Sequence, residues 1–363
     1  MSLTQADVFA ALDQVMDPEL HVSLVKAGMV KEVQVDGDKA RVKIELTTPA
    51  CPMKEQIREE TEAALNKIEA LASFEIEWGA RVRKASGAGS MDQLLPGVRH
   101  VILVGAGKGG VGKSTVSLNL AIALQQAGAK VGLLDTDFYG PSVPTMTDTA
   151  EVKPVSRDGK VLEPLEKFGL KLMSLGYLVE SDQALIWRGP MLHGALIQLI
   201  RDVNWGELDY LILDLPPGTG DVALTLSQNV RATGSVLVTT PQDVALADVV
   251  RAKQMFDKVN IPVLGLVENM SQFICPNCDH ATPIFHHGGG KKLADAYELP
   301  FLGEIPLHLS VREGGDAGLP ITQSAPDSAE AQAFKRVAET LAGRISMESM
   351  KVRLPVLKQA GAH

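Results

Sequence analysis

Residues 107–115 read GKGGVGKST, directly after the apolar run VILVGA and directly before the helical pattern VSLNLAIALQQAG. A strand, a glycine-rich loop and a helix in that order make a phosphate cradle. Gly107, Gly109, Gly110 and Gly112 let the backbone curl so that its N–H groups face the phosphates, and the helix N-terminus adds positive potential. Lys113 is placed to reach the β- and γ-phosphates and Ser114 to hold Mg²⁺ through its hydroxyl. Two acidic segments belong with this loop. LLDTDFYGPS puts Asp135 and Asp137 at the end of a second strand, at the carboxyl edge where open α/β sheets bind ligands, and DYLILDLPPGTGD ends a third strand on Asp214, a Walker B carboxylate. A second kind of chemistry sits in CPNCDHATPIFHHGGG, residues 275–290. Cys275 and Cys278 supply two thiols, whereas a tetrahedral metal or an iron-sulfur cluster takes four protein ligands. Three readings stand: a redox pair, a zinc site completed by His280, His286 or His287, and a half-site in which each of two chains donates two thiolates to one bridging [4Fe-4S] cluster.

The elements that must position these groups are readable from pattern. Residues 1–83 give a helix (TQADVFAALDQV), a hairpin about Asp36-Gly37, a helix (PMKEQIREETEAALNKIEAL) and a short strand, FEIEW, together a small α+β unit. Residues 84–97, rich in Gly, Ser and Ala, read as a linker. From residue 98 to 346, short runs that are apolar nearly throughout alternate with helical segments, the signature of a parallel sheet covered on both faces. The expected fold class is therefore α/β: a doubly wound, mostly parallel P-loop NTPase domain preceded by a small α+β domain. The last strong helix is SAEAQAFKRVAETLAGRI, and residues 347–363, broken by Pro355, read as a loosely held tail.

Composition narrows the setting. A formal net charge of -9 gives no broad footprint for nucleic acid or anionic lipid, so neither partner is expected. No apolar run approaches the roughly 18 residues of a membrane span, and the N-terminus lacks a signal-peptide pattern. Three cysteines make no disulfide framework, which points to a reducing cytoplasm and to thiols used as ligands or redox groups.

Lys108, five positions before Lys113, resembles the second lysine of the deviant Walker A motif found in the MinD/ParA/nitrogenase iron protein class. That resemblance implies a homodimer closed by nucleotide, with Lys108 reaching the partner's phosphates. It further implies that Asp135 helps hold Mg²⁺ through water, that Asp137 orients or activates the attacking water, and that Asn269 lies against an adenine. Lys108, Lys113, Asp137 and Asp214 then carry a slow ATP hydrolysis. Over nearly its whole length the chain is similar to the Mrp/ApbC family of iron-sulfur cluster carrier ATPases: GKGGVGKST, LLDTDFYGPS, WRGPM (187–191), DLPPGTGD, TTPQD (239–243), ENMS and CPNC follow in that order. By this resemblance Gly107, Lys108, Gly109, Gly110, Val111, Gly112, Lys113, Ser114 and Thr115 form the ATP loop. Cys275 and Cys278 are the cluster ligands, and apo iron-sulfur proteins are the recipients. The N-terminal unit resembles a small iron-sulfur assembly domain, with DPEL at 17–20 and TTPACP at 47–52. Cys51 has two readings there, a contact for a cluster or transfer partner and a small buried thiol. A positioning ATPase of the MinD/ParA kind and a zinc-binding regulatory ATPase are the alternatives.

Overall fold

The structure is a computed structural model that describes residues 3–82, 94–138, 140–156, 159–178, 189–218 and 220–350. The small domain begins with helix α1 (Gln5–Leu12), which Thr4 and Asp7 close with a reciprocal capping box. Two short strands, β1 (Met16–Asp17) and β2 (Val22–Ser23), pair antiparallel. Strands β3 (Val30–Asp36) and β4 (Lys39–Leu46) form the expected hairpin, turning at Gly37 with φ of 63°. Helix α2 (Lys54–Leu65) then crosses over to β5 (Ser73–Ala80), which runs parallel to β4. Alternate residues of β4, among them Val42 and Ile44, point inward onto Ile57 and Leu65 of α2. One face of the sheet is thus covered by helix, as its period-two pattern requires.

The large domain starts with β6 (Val98–Ala106), the phosphate loop and α3 (Lys113–Gln126). It continues through β7 (Val131–Asp135), α4 (Val143–Met146), β8 (Leu165–Lys167), β9 (Leu170–Ser174) and α5 (Gly189–Arg201). Next come β10 (Leu208–Asp214), α6 (Gly220–Asn229), β11 (Gly234–Thr239), α7 (Asp243–Lys258), β12 (Val263–Ile274) and β13 (Ala281–Thr282). The chain closes with α8 (Gly289–Ala296), β14 (Phe301–Leu307), α9 (Leu309–Asp316), α10 (Ile321–Ser324) and α11 (Ala329–Met350). The strands form one sheet in the order β13-β12-β11-β6-β10-β7-β9-β8, with β14 also paired to β12. Pairing is parallel except for β12 with β13 and β8 with β9.

Core strands β10 and β11 are buried along nearly their whole length, which is why their sequences are continuously apolar. Helix α3 is buried at every position from Val116 to Leu124, held between the sheet and α11. Phe334 of α11 is fully buried in the same apolar cluster, and truncating such a side chain costs about 3–5 kcal/mol. Helix α11 runs to Met350, five residues beyond the helix expected from periodicity, so residues 347–350 of the expected tail are helical; residues 351–363 lie outside the described residues. Most of the expected linker, residues 84–93, also lies outside them, while Leu95 packs into the large domain's core.

The small domain meets the large one at the amino ends of the strands. The Thr48 and Tyr210 hydroxyls lie 3.0 Å apart and buried, and Ala50 and Val82 join the apolar cluster that contains α3. Tyr210 stands near the start of β10 and Asp214 at its end. Four residues of strand, about 13 Å, therefore separate the domain contact from the phosphate-binding edge.

Candidate functional site

The phosphate loop lies at the carboxyl end of β6, and β10 runs between β6 and β7. Register puts Asp214 directly opposite Asp135, so two carboxylates stand side by side at the strand ends, both fully buried. Gly110 and Gly112 adopt φ of 80° and 79°, left-handed conformations that turn the chain into α3. At Gly112 a β-carbon would also collide with the Asn269 side-chain nitrogen at 2.2 Å. That close approach is used: the Asn269 side-chain amide donates to the Val111 carbonyl at 2.8 Å, tying the last part of β12's buried stretch to the loop backbone. Asn269 thus sits beside the loop, with its amide committed to the backbone.

Lys113 is buried and its Nζ rests 2.7 Å from Asp214 Oδ1. Ser117, one helical turn further on, holds the same oxygen at 2.6 Å, and the Thr136 hydroxyl donates to the Asp214 backbone carbonyl at 2.7 Å. Asp214 Oδ2 is buried with no hydrogen-bond partner. Asp135 accepts from the Asp137 N–H at 3.0 Å, the Val143 N–H at 3.2 Å and the Ser174 hydroxyl at 3.3 Å. Burial, and then the neighbouring Asp214 carboxylate, push the Asp135 carboxyl up to about 7. An orphaned carboxylate oxygen beside a second, strained carboxyl is a donor set with a surplus of negative charge. With the Ser114 hydroxyl, these groups fit Mg²⁺. Asp137 is half-buried and turns an Oδ1 to the Gly140 N–H at 3.2 Å. Lys108 is half-buried and forms no ion pair with any described residue. Tyr139 of LLDTDFYGPS, Trp187 and Arg188 of WRGPM, and Thr219 of DLPPGTGD lie outside the described residues.

The two cysteines lie in the turn that follows strand β12. Strand β12 continues beyond Met270 to Ile274 and turns back antiparallel into β13, pairing Phe273 with Thr282 and Ile274 with Ala281. Cys275 and Cys278 therefore occupy the tip of a hairpin. The Cys275 N–H donates to the His280 carbonyl at 3.1 Å, and the Asp279 N–H to the Cys275 carbonyl at 2.9 Å. Cys275 is half-buried and Cys278 exposed. The Asn277 N–H, then the Cys278 thiol and N–H, hold the Cys275 thiol below its ordinary range. No helix begins at the pair, as a thioredoxin-like site would need. Nor do the histidines complete a site: among the described residues, the group of three or more candidate donors within 4.8 Å of one another is Glu268, His287 and Glu304, without either cysteine.

Cys51 is buried in the small domain, and burial pushes its thiol up to about 12. A thiol held protonated is poorly suited to act as a ligand, which favours the packing role. Sequence reading missed Ser117, Ser174 and Glu268. Ser117 had a usable signal, its i+4 spacing from Lys113 on a helix beside a Walker B strand. Glu268 had one too: the turn Gly288-Gly289-Gly290 opens α8, and Glu268 accepts from the Gly288 N–H at 2.9 Å and from the Gly290 N–H, so this helix start binds the protein's own carboxylate.

A glycine loop at the carboxyl edge of a parallel sheet, a lysine held on a strand-end aspartate and a second acidic strand end define a P-loop nucleotide-binding domain. The family model for the NUBPL iron-transfer P-loop NTPases matches residues 97–342, and one for iron-sulfur cluster assembly proteins matches residues 5–78. The chain belongs to the NUBPL-type iron-transfer P-loop NTPases. It is 51% identical over 350 residues to an iron-sulfur cluster carrier protein of Deinococcus radiodurans, covering 96% of this chain and 98% of that one. It is 49% identical over 248 residues to the iron-sulfur cluster transfer protein NUBPL of Dictyostelium discoideum, covering 68% of this chain and 77% of that one. Among solved structures, a nucleotide-binding protein from Archaeoglobus fulgidus in complex with ADP superimposes with a TM-score of 0.56 at 40% identity, covering 63% of this chain and 90% of that one. The cell division ATPase MinD of Pyrococcus furiosus shares the fold, with a TM-score of 0.51 at 23% identity, covering 67% of this chain and 98% of that one. No helix among the described residues is long and apolar enough to cross a membrane.

Proposed function

We propose that the protein is an ATP-hydrolysing iron-sulfur cluster carrier, in which a homodimer holds a labile [4Fe-4S] cluster between two cysteine hairpins and passes it to apoproteins. The observation that carries this reading is the half-set of ligands. Two thiols stand at a hairpin tip with no third donor grouped with them among the described residues, so a four-thiolate cluster asks for a second copy. Lys108, which forms no ion pair with any described residue, suits a lysine that acts across such a dimer.

The backbone N–H groups of residues 107–115 cradle the phosphates, with the start of α3 adding positive potential. Lys113 rests on Asp214 at 2.7 Å and is drawn onto the β- and γ-phosphates when they arrive. Asp135, Asp214 and Ser114 would hold Mg²⁺, which when bound neutralises charge on the β- and γ-phosphates. Asp137 orients the attacking water, and Lys108 of the opposite chain completes the charge balance. Phosphoryl transfer needs positioning and neutralisation more than covalent chemistry, so these residues suffice for slow turnover. Strand β12 links the two sites: Asn269 holds the loop at Val111, and the same strand runs on to Cys275. A change in the loop therefore has a direct path to the cluster ligands. The cytoplasm, where thiols stay reduced, is the setting this chemistry needs.

Anaerobic reconstitution with iron and sulfide tests the proposal. Wild-type protein is expected to gain iron-sulfur charge-transfer absorption and to activate an apo iron-sulfur enzyme, and the double variant Cys275→Ala/Cys278→Ala to do neither. Retention of a cluster by the double variant would refute it.

A further inference from the structure

We infer a second metal site, separate from the cysteine hairpin, formed by Glu268, His287 and Glu304. One donor atom from each lies within 4.8 Å of the others, and His287 Nε2 already stands 2.7 Å from Glu304 Oε2. Metal-to-ligand distances near 2.0–2.2 Å place neighbouring donors up to about 4.4 Å apart, so a small rotation of two half-exposed side chains closes the set. Glu268 needs no rotation. It is fully buried, and the Gly288 and Gly290 N–H groups fix its carboxylate, the kind of outer hydrogen bonding that orients a ligand before metal arrives.

Charge supplies a second line of argument. Glu268 and Glu304 are register partners on the parallel strands β12 and β14, so two carboxylates are set side by side by the sheet itself. Among the described residues no lysine or arginine forms an ion pair with either. The start of α8 contributes about half a positive charge to Glu268 and nothing comparable to Glu304. A divalent cation balances the pair, and one imidazole with two carboxylates and open positions for water selects a first-row transition ion over Mg²⁺ or Ca²⁺.

The site does not share an ion with the thiols. Cys275 follows the last residue of β12, seven positions beyond Glu268, and neither cysteine joins the group of donors. It also lies on the opposite face of the strand from Asn269, its sequence neighbour, which clasps the phosphate loop. The site therefore neighbours the nucleotide pocket through one strand without entering it.

The test uses the full chain carrying Cys275→Ala/Cys278→Ala, free of nucleotide so that neither thiols nor ADP phosphates take up the ion, and titrated with Co²⁺ alone. One equivalent per chain is expected, with visible ligand-field bands and no thiolate charge-transfer band. His287→Ala and Glu304→Gln should each weaken binding at least tenfold, whereas His286→Ala should not change it. Circular dichroism of each variant establishes that the fold is kept. Failure to bind a stoichiometric equivalent, or binding indifferent to both His287→Ala and Glu304→Gln, overturns the inference.

Discussion

Asn269→Ala separates two roles for this side chain, bracing the phosphate loop and reading the base. The amide donates to the Val111 carbonyl at 2.8 Å, with Val111 2% exposed and Asn269 6% exposed. Removing the amide leaves the carbonyl buried without a partner, at a cost of about 1–3 kcal/mol. If the loop must regain its shape to bind, that cost appears in Kd as a weakening of about 5- to 150-fold, at 1.4 kcal/mol per tenfold. A bracing residue acts on every ligand that uses the loop. Isothermal titration should then show ATP, GTP and base-free tripolyphosphate weakened by similar factors. A loss confined to ATP, with tripolyphosphate unchanged, would refute the bracing role and assign Asn269 to the purine.

Three further outcomes follow from the same structure. Lys108→Ala should bind ATP as the wild type does yet hydrolyse it about 10³-fold more slowly or worse, the scale of a residue supplied across an interface, as read by phosphate release and calorimetry. Glu19 gives a pH dependence: burial, and then Asp17, raise its carboxyl from 4.5 to about 7 in the folded protein. The folded state then holds the proton more tightly than the unfolded one, so this group's contribution is present below about pH 4.5 and is lost as pH rises towards about 7. Glu19→Gln should therefore raise Tm at pH 8 and lose that advantage on going towards pH 5. Tyr210→Phe removes the buried hydroxyl pair with Thr48, worth about 0.5–1.5 kcal/mol, and should lower Tm by about 1–6 °C while leaving nucleotide affinity unchanged.

The parallel sheet was legible because β10 and β11 are covered on both faces, which leaves their sequences apolar without alternation. The phosphate loop was legible because its geometry demands glycine and lysine at fixed spacing. The hairpin carrying the cysteines was not. Beyond Asn269 strand β12 leaves the buried sheet, its residues are mostly half-exposed, and neither an apolar run nor a clean alternation marks it as strand. Strand β13 has two residues, both exposed, and gives no signal at all. Glu268 was hidden for the opposite reason. A fully buried carboxylate inside VLGLVENM reads as a flaw in an apolar strand until the helix start whose N–H groups donate to it is seen in space. Ser174 reaches the site through Asp135, and a small hydroxyl residue at a strand end carries no distinguishing pattern, whereas Ser117 is marked by its spacing from Lys113.

The shared cluster is tested most directly by iron, sulfide and zinc analysis of anaerobically purified protein, measured together with its mass in solution. The proposed carrier should run as a dimer holding about four irons and four sulfides per two chains, the count that four thiolates imply, and should lose them when Cys275 and Cys278 are replaced. A monomer carrying zinc on those cysteines, without sulfide, would contradict it.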